Sequence, residues 1–115
     1  PIQYALCYPE RLPCPAPRRD FTEVKSLHFE PADPDRFPAL RLGYEVASRG
    51  GTAGAVLNAA NEVAVTRFLA GEIRFPQIVQ SCRSVLEHHT FDPSPTLDSL
   101  LASDRWAREQ AGRWA

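Results

Sequence analysis

The sequence contains no methionine at any of its 115 positions, and a chain that opens at Pro1 without a translation start is expected to be part of something longer. Cysteine is scarce. Cys7, Cys14 and Cys82 make an odd number with no CxxC pair, which argues against a disulfide framework and against a zinc site, and leaves reduced thiols packed as small apolar residues. Charge of one sign is also missing: 13 basic residues against 14 acidic give a net charge of −1. No long-range field gathers phosphate backbones or anionic lipid, so neither nucleic acid nor a membrane surface is an expected partner. No apolar run approaches the roughly 18–20 residues that span a bilayer, and no charged stretch precedes an apolar one as in a secretion signal, so a soluble, cytoplasmic protein is expected. Neither GxGxxG nor GxxxxGK[ST] occurs, so no phosphate-cradling loop lies within these residues.

What is present is enough for one folded domain. The hydrophobic share is 43% and the charged share 23%, the composition of a packed globule, and the length fits a single core. Eight of the eleven prolines fall within the first 38 residues. Each removes a backbone donor and biases its predecessor toward extended backbone, so residues 1–34 are expected to form a proline-rich linker arm lying along another surface. Residues 2–8 suffice for one or two helical turns, and Leu27, His28 and Phe29 for at most one very short strand without a partner in this sequence.

Beyond that arm the apolar period becomes helical, and residues 35–115 are expected to form a four-helix bundle-like domain, so the fold class is mostly α. The first helix, about 37–49, has Phe37, Leu40, Tyr44 and Ala47 at spacings of three and four, Pro38 at its first position and Gly50 and Gly51 at its end. The second, about 53–70, follows a Thr52 cap, aligns Val56, Ala60, Val63, Ala64 and Phe68, and stops at Gly71. Asn58 marks a point where it can break, since a mid-helix asparagine can bond its own backbone. The third opens at Pro76 and carries Ile78, Val79, Cys82, Val85, Leu86 and His89. The fourth follows a Thr96 cap, with Leu97, Leu100, Leu101, Ala107, Ala111 and Trp114 on one face. Short Gly and Pro connections make such helices antiparallel neighbours.

Chemistry-bearing residues are few. His88 and His89, adjacent on a helix, point about 100° apart and cannot share an ion, and His28 lies elsewhere; His89 is expected on the apolar face and His88 toward solvent. Cys82 sits between Val79 and Leu86, a packing position rather than that of an activated nucleophile. The densest polar cluster is Asn58, Asn61 and Glu62. Asn58 and Glu62 share a helix face and suit either a ligand or an interdomain contact, and the alanines around them favour close backbone approach over an open pocket. A small-ligand or metal site at Asn61 and Glu62 is one alternative. Another is an autonomous helical protein-binding module that recruits a partner through the arm and Trp106 or Trp114.

The longer strings carry a resemblance. Pro1-Ile2-Gln3-Tyr4-Ala5-Leu6, Tyr8-Pro9-Glu10-Arg11, Phe29-Glu30-Pro31, Asp35-Arg36-Phe37-Pro38-Ala39-Leu40 and Gly50-Gly51-Thr52-Ala53 are followed by Val56-Leu57-Asn58-Ala59-Ala60-Asn61-Glu62-Val63-Ala64-Val65. With Phe68-Leu69, Ile73-Arg74-Phe75, Ile78, Leu97-Asp98-Ser99-Leu100-Leu101 and Asp104-Arg105-Trp106-Ala107-Arg108, they resemble the C-terminal part of the 1-deoxy-D-xylulose 5-phosphate reductoisomerase family, in order and over nearly the whole chain. The resemblance implies an oxidoreductase of the methylerythritol phosphate route to isoprenoid precursors, using NADPH and a divalent cation, Mg or Mn, and usually homodimeric. It further implies that the nucleotide loop, the metal-binding carboxylates and the phosphate ligands lie in upstream parts. The Asn58-to-Glu62 stretch lacks the lysine of the family's upstream asparagine-lysine-glutamate site. No catalytic, cofactor-binding or metal-binding residue is therefore expected in this fragment, which is expected to be inactive alone. Its role would be to brace the catalytic and NADPH-binding parts, with Asn58, Asn61 and Glu62 at an interdomain contact.

Overall fold

The computed structural model describes residues 2–17, 20–24 and 26–115, so the expected arm's Pro1 lies outside the described residues. The described residues fall into two units, divided between Glu30 and Pro31.

The first unit begins with α1 (Ile2–Cys7), which buries none of its residues. The proline-rich stretch cannot continue a helix, and it folds back along α1: Gln3 Nε2 donates to the Pro13 carbonyl at 2.9 Å, and the Arg11 guanidinium lies 4.2 Å from the centre of the Tyr4 ring. Tyr4 and Tyr8 meet edge to face at 5.7 Å. Downstream, Asp20 Oδ1 accepts from the Thr22 amide and hydroxyl, and these bonds hold the Asp20 carboxyl below its ordinary range. The strand allowed at Leu27, His28 and Phe29 does not form. No strand occurs among the described residues, because a lone extended segment has no ladder to join.

In the second unit, α2 (Pro38–Arg49), α3 (Ala53–Leu69), α4 (Phe75–His88) and α5 (Leu97–Arg113) form the expected four-helix bundle. The axis of the unit is α3, which touches each of the other three; α2 and α5 do not meet. The reason lies in its small residues. Ala53, Ala59, Ala60 and Ala64 are fully buried, as are Ala107 and Ala111 of α5, and alanines in both helices let the backbones approach closely. Val56, Cys82, Val85 and Leu86 fill the main core with them, and Ile73 and Ile78 close a second cluster around Ala64.

Helix boundaries agree with the expected ones to within about a residue, and their signals are physical. Pro38 and Pro76 stand in the first turns of α2 and α4, where no amide partner is lost. Thr96 Oγ1 accepts from the Ser99 amide at 3.2 Å and caps α5. Gly71, at a φ of +77°, turns the chain out of α3.

Four expectations about side chains are corrected. First, α3 is continuous through Asn58; the amide of that side chain turns to Glu62 and leaves the backbone ladder intact. Second, Thr52 does not cap α3 with its hydroxyl. That oxygen accepts from the Asp92 amide at 3.1 Å and stands 3.3 Å from His89 Nε2, while the Thr52 amide donates to the Asp92 carbonyl at 3.0 Å. A local cap is given up for a knot that ties the α2–α3 turn to the α4–α5 loop. Third, the core face of α2 is not Phe37, Leu40, Tyr44 and Ala47, all of which are exposed; Leu42 is buried and Val46 packs beside it. Fourth, Leu97 and Leu101 of α5 face outward, while Ala107 and Ala111 are buried as expected and Trp106 packs with them against the core. The expected sides of the histidines hold: His89 is buried, with Nδ1 donating to the Leu86 carbonyl at 2.8 Å, and His88 is exposed.

Candidate functional site

Asn58, Asn61 and Glu62 lie on the exposed side of α3, since buried Ala59 and Ala60 fix the opposite side against the core. Asn58 and Asn61 border a groove of about 330 Å³ whose walls are otherwise apolar, formed by Leu42 and Val46 of α2, Leu57 of α3, and Val79 and Cys82 of α4. Asn61 has no hydrogen-bond partner for its amide among the described residues, so it is the member of the cluster open to an outside group.

Glu62 is engaged at the surface by a neighbouring helix. Arg108 Nη2 of α5 donates to its Oε2 at 2.8 Å, and Asn58 Nδ2 donates to its Oε1 at 3.2 Å. Arg108 also holds Asp104 through Nε at 2.8 Å and Nη2 at 3.2 Å. The hydrogen bond from Arg108 and its positive charge, followed by the bond from Asn58, hold the Glu62 carboxyl below the ordinary glutamate range; Asp104 and Glu62 in turn push the Arg108 guanidinium upward. The result is a clasp between α3 and α5, in which one guanidinium serves two carboxylates.

Such an arrangement has little to offer chemistry. A general acid or base needs a proton exchangeable near neutral pH, and Glu62 is shifted away from that range. Cys82 is pushed up to about 11 by burial, which suppresses the thiolate a nucleophile requires. Among the described residues, no three His, Cys, Asp or Glu side chains come together in a way that could hold a metal ion. Within the cluster, the carboxylate of Glu62 is already taken by the Arg108 cation. No helix of the described residues is long and apolar enough to cross a membrane.

Comparison with known proteins gives this polar cluster its context. The family described as DXP reductoisomerase C-terminal domain matches residues 1–110. This chain belongs to that family. A 1-deoxy-D-xylulose 5-phosphate reductoisomerase from Rhodopirellula baltica is 60% identical over 111 residues, which is 96% of this chain and 24% of the relative. One from Desulforamulus reducens is 53% identical over 113 residues, 98% of this chain and 29% of the relative. Among solved structures, 1-deoxy-D-xylulose 5-phosphate reductoisomerase from Zymomonas mobilis in complex with NADPH superposes with a TM-score of 0.83 at 40% identity, covering 96% of this chain and 29% of that one. The chain spans about a quarter of the length of its relatives.

Membership in the DXP reductoisomerase family overturns the alternative of an autonomous binding module. In the structure Trp106 packs half-buried against the main core, and Trp114 is half-buried at the end of α5 with its carbonyl held by Arg67. Sequence reasoning found Asn58, Asn61 and Glu62 but missed Arg108, which stands 46 positions from Glu62 and carries no local signal of the pairing.

Proposed function

We propose that residues 1–34 are the linker arm and residues 35–115 the C-terminal helical bundle of a reductoisomerase. That enzyme, with NADPH and a divalent cation (Mg or Mn), rearranges and reduces 1-deoxy-D-xylulose 5-phosphate to 2-C-methyl-D-erythritol 4-phosphate for isoprenoid biosynthesis. In this reading the chain supplies support. The upstream catalytic and NADPH-binding parts of the same enzyme are its partners, the complete enzyme is a homodimer, and it works in the cytoplasm, a reducing compartment that suits three free cysteines.

The observation that carries the reading is the match of nearly the whole chain to about a quarter of its relatives, in a bundle whose Asn58 and Glu62 are spent on its own clasp. Asn61, beside the apolar groove, is the residue through which α3 reaches the upstream parts, with Asn58 and Glu62 holding that surface in shape. The test has two arms. The purified 115 residues, given NADPH, magnesium or manganese and substrate, are expected to show no turnover, and deletion of this domain from the complete enzyme is expected to abolish it. Turnover by the 115 residues alone, or a deleted enzyme of undiminished activity, refutes the proposal.

A further inference from the structure

α2 carries more apolar surface than the bundle uses. With successive residues about 100° apart on a helix, Leu42, Val46 and Ala39 share one side, and this side meets the core and the groove. Leu40, Tyr44 and the entering Phe37 fall on a second arc, and Arg41, Glu45, Ser48 and Arg49 occupy what is left. The second arc is open: Phe37 is 52% exposed, Leu40 44% and Tyr44 77%. A helix at a protein surface needs an apolar stripe of roughly 100°, and the two arcs of α2 together cover roughly twice that, the pattern of a helix buried on both sides.

We propose that this outer face of α2 docks on an apolar surface of the upstream part of the complete reductoisomerase. The proposal rests on the support reading above and names the surface through which support is given. Three observations select this occupant. The relatives carry about three-quarters of their length outside the region matched here, so a large body is available to cover the face. Leu40, Tyr44 and Phe37 carry no charge themselves; at the edge of the face Arg41 Nη2 is paired with Asp35 Oδ1 at 2.7 Å, while the Arg36 guanidinium lies 5.5 Å from the centre of the Phe37 ring. Its counterpart is therefore predominantly apolar. A second copy of the chain is the poorer occupant, because the exposed parts of Phe37, Leu40 and Tyr44 on two copies sum to roughly 700 Å², against the roughly 1,200–2,000 Å² of a stable free-standing interface. A tethered partner needs less area, since covalent connection sets the local concentration.

The test uses the complete enzyme. Leu40→Cys, Tyr44→Cys and, on the polar arc, Glu45→Cys are labelled separately with a maleimide, and the rate at each site is read by mass spectrometry of its peptide. Positions 40 and 44 are expected to react at least tenfold more slowly than position 45. Radical footprinting of native Tyr44 in the unsubstituted enzyme is read alongside, with at least tenfold slower oxidation expected than in the urea-unfolded protein. Equal labelling at the three positions, free oxidation of Tyr44, or protection that disappears on dilution to single chains overturns the proposal. The support reading stands or falls separately, on whether the deleted enzyme turns over.

Discussion

Among the glycines of the bundle, Gly51 is the one that a side chain would bring into collision with its surroundings. It sits at a φ of +54°, and a methyl group in place of its hydrogen would overlap the Asp92 carbonyl oxygen and lie 2.9 Å from Pro93 Cα, both backbone atoms of the α4–α5 loop. Gly51→Ala is expected to destabilise the domain by about 3 kcal/mol, from left-handed strain and overpacking together, measured as a lower urea midpoint with unchanged slope. Ser81 is the opposite case. Its hydroxyl is fully buried in α4 with no hydrogen-bond partner among the described residues, so Ser81→Ala removes an uncompensated desolvation cost and leaves the packing nearly unchanged. Stability is expected to stay level or rise by about 1 kcal/mol, read from the same urea titration. A fall of that size would mean that the hydroxyl has a partner.

At the scale of elements, two contacts join helices that are distant in sequence, and each gives a prediction. Arg67, at the end of α3, donates through Nη1 to the Ala111 and Trp114 carbonyls at 2.9 and 2.6 Å, and through Nε to Glu72 Oε2 at 3.0 Å. It satisfies carbonyls that the last turn of α5 leaves open. Arg67→Ala is expected to cost about 2–3 kcal/mol, and Arg67→Lys to recover little of it, because an ammonium cannot reproduce the fork; urea unfolding of both variants decides. The clasp of Glu62 with Arg108 acts through pH. Because folding lowers the Glu62 carboxyl, its contribution is fully present above the ordinary glutamate range and is lost as pH falls through that range to the lower folded value. Glu62→Gln should therefore melt below wild type at pH 7, and the gap should close as the pH is taken well under about 4 and shrink in salt. A gap that does not change between pH 7 and pH 3 would place the effect outside the ion pair.

These elements also show what was legible beforehand. The buried positions of α4 were readable because its apolar residues lie on one side, and the capping by Thr96 is a local event three residues long. α2 was misread because its bulkier apolar side chains, Phe37, Leu40 and Tyr44, are the outward ones, while a single buried leucine with Val46 meets the core; an apolar period reports that a face exists, not which body covers it. In α5 the expected Ala107 and Ala111 are buried, while the leucines at 97 and 101 turn outward, because close approach to α3 favours the alanines. Thr52 looked like a cap since its neighbours in sequence begin a helix, and its hydroxyl serves residues 37 and 40 positions away. Of the candidate site, the Asn58–Glu62 pair was visible as an i, i+4 relation, and Arg108 became visible only when α5 was laid on α3.

For the whole molecule, the distribution of polar groups implies a separable part. Glu62 and Asp104 are bonded to Arg108, Cys82 is buried with its thiol held protonated, and Phe37, Leu40 and Tyr44 leave apolar surface open on α2. If support is its role, a close relative's version should be exchangeable for it. This chain in place of the matching quarter of the Rhodopirellula baltica reductoisomerase, to which it is 60% identical over 111 residues, is expected to give an enzyme with kcat within about tenfold of the parent and the same KM for substrate. The chemical step would be unaltered, and the remaining loss would come from imperfect fit at the new junction. Placing Leu40→Asp and Tyr44→Asp in the same chimera should lower its melting temperature and lengthen the time to reach full activity after dilution from urea, since the charged face no longer seats on an apolar counterpart. A chimera that melts like the parent but shows no turnover would mean that residues within this chain take part in the reaction.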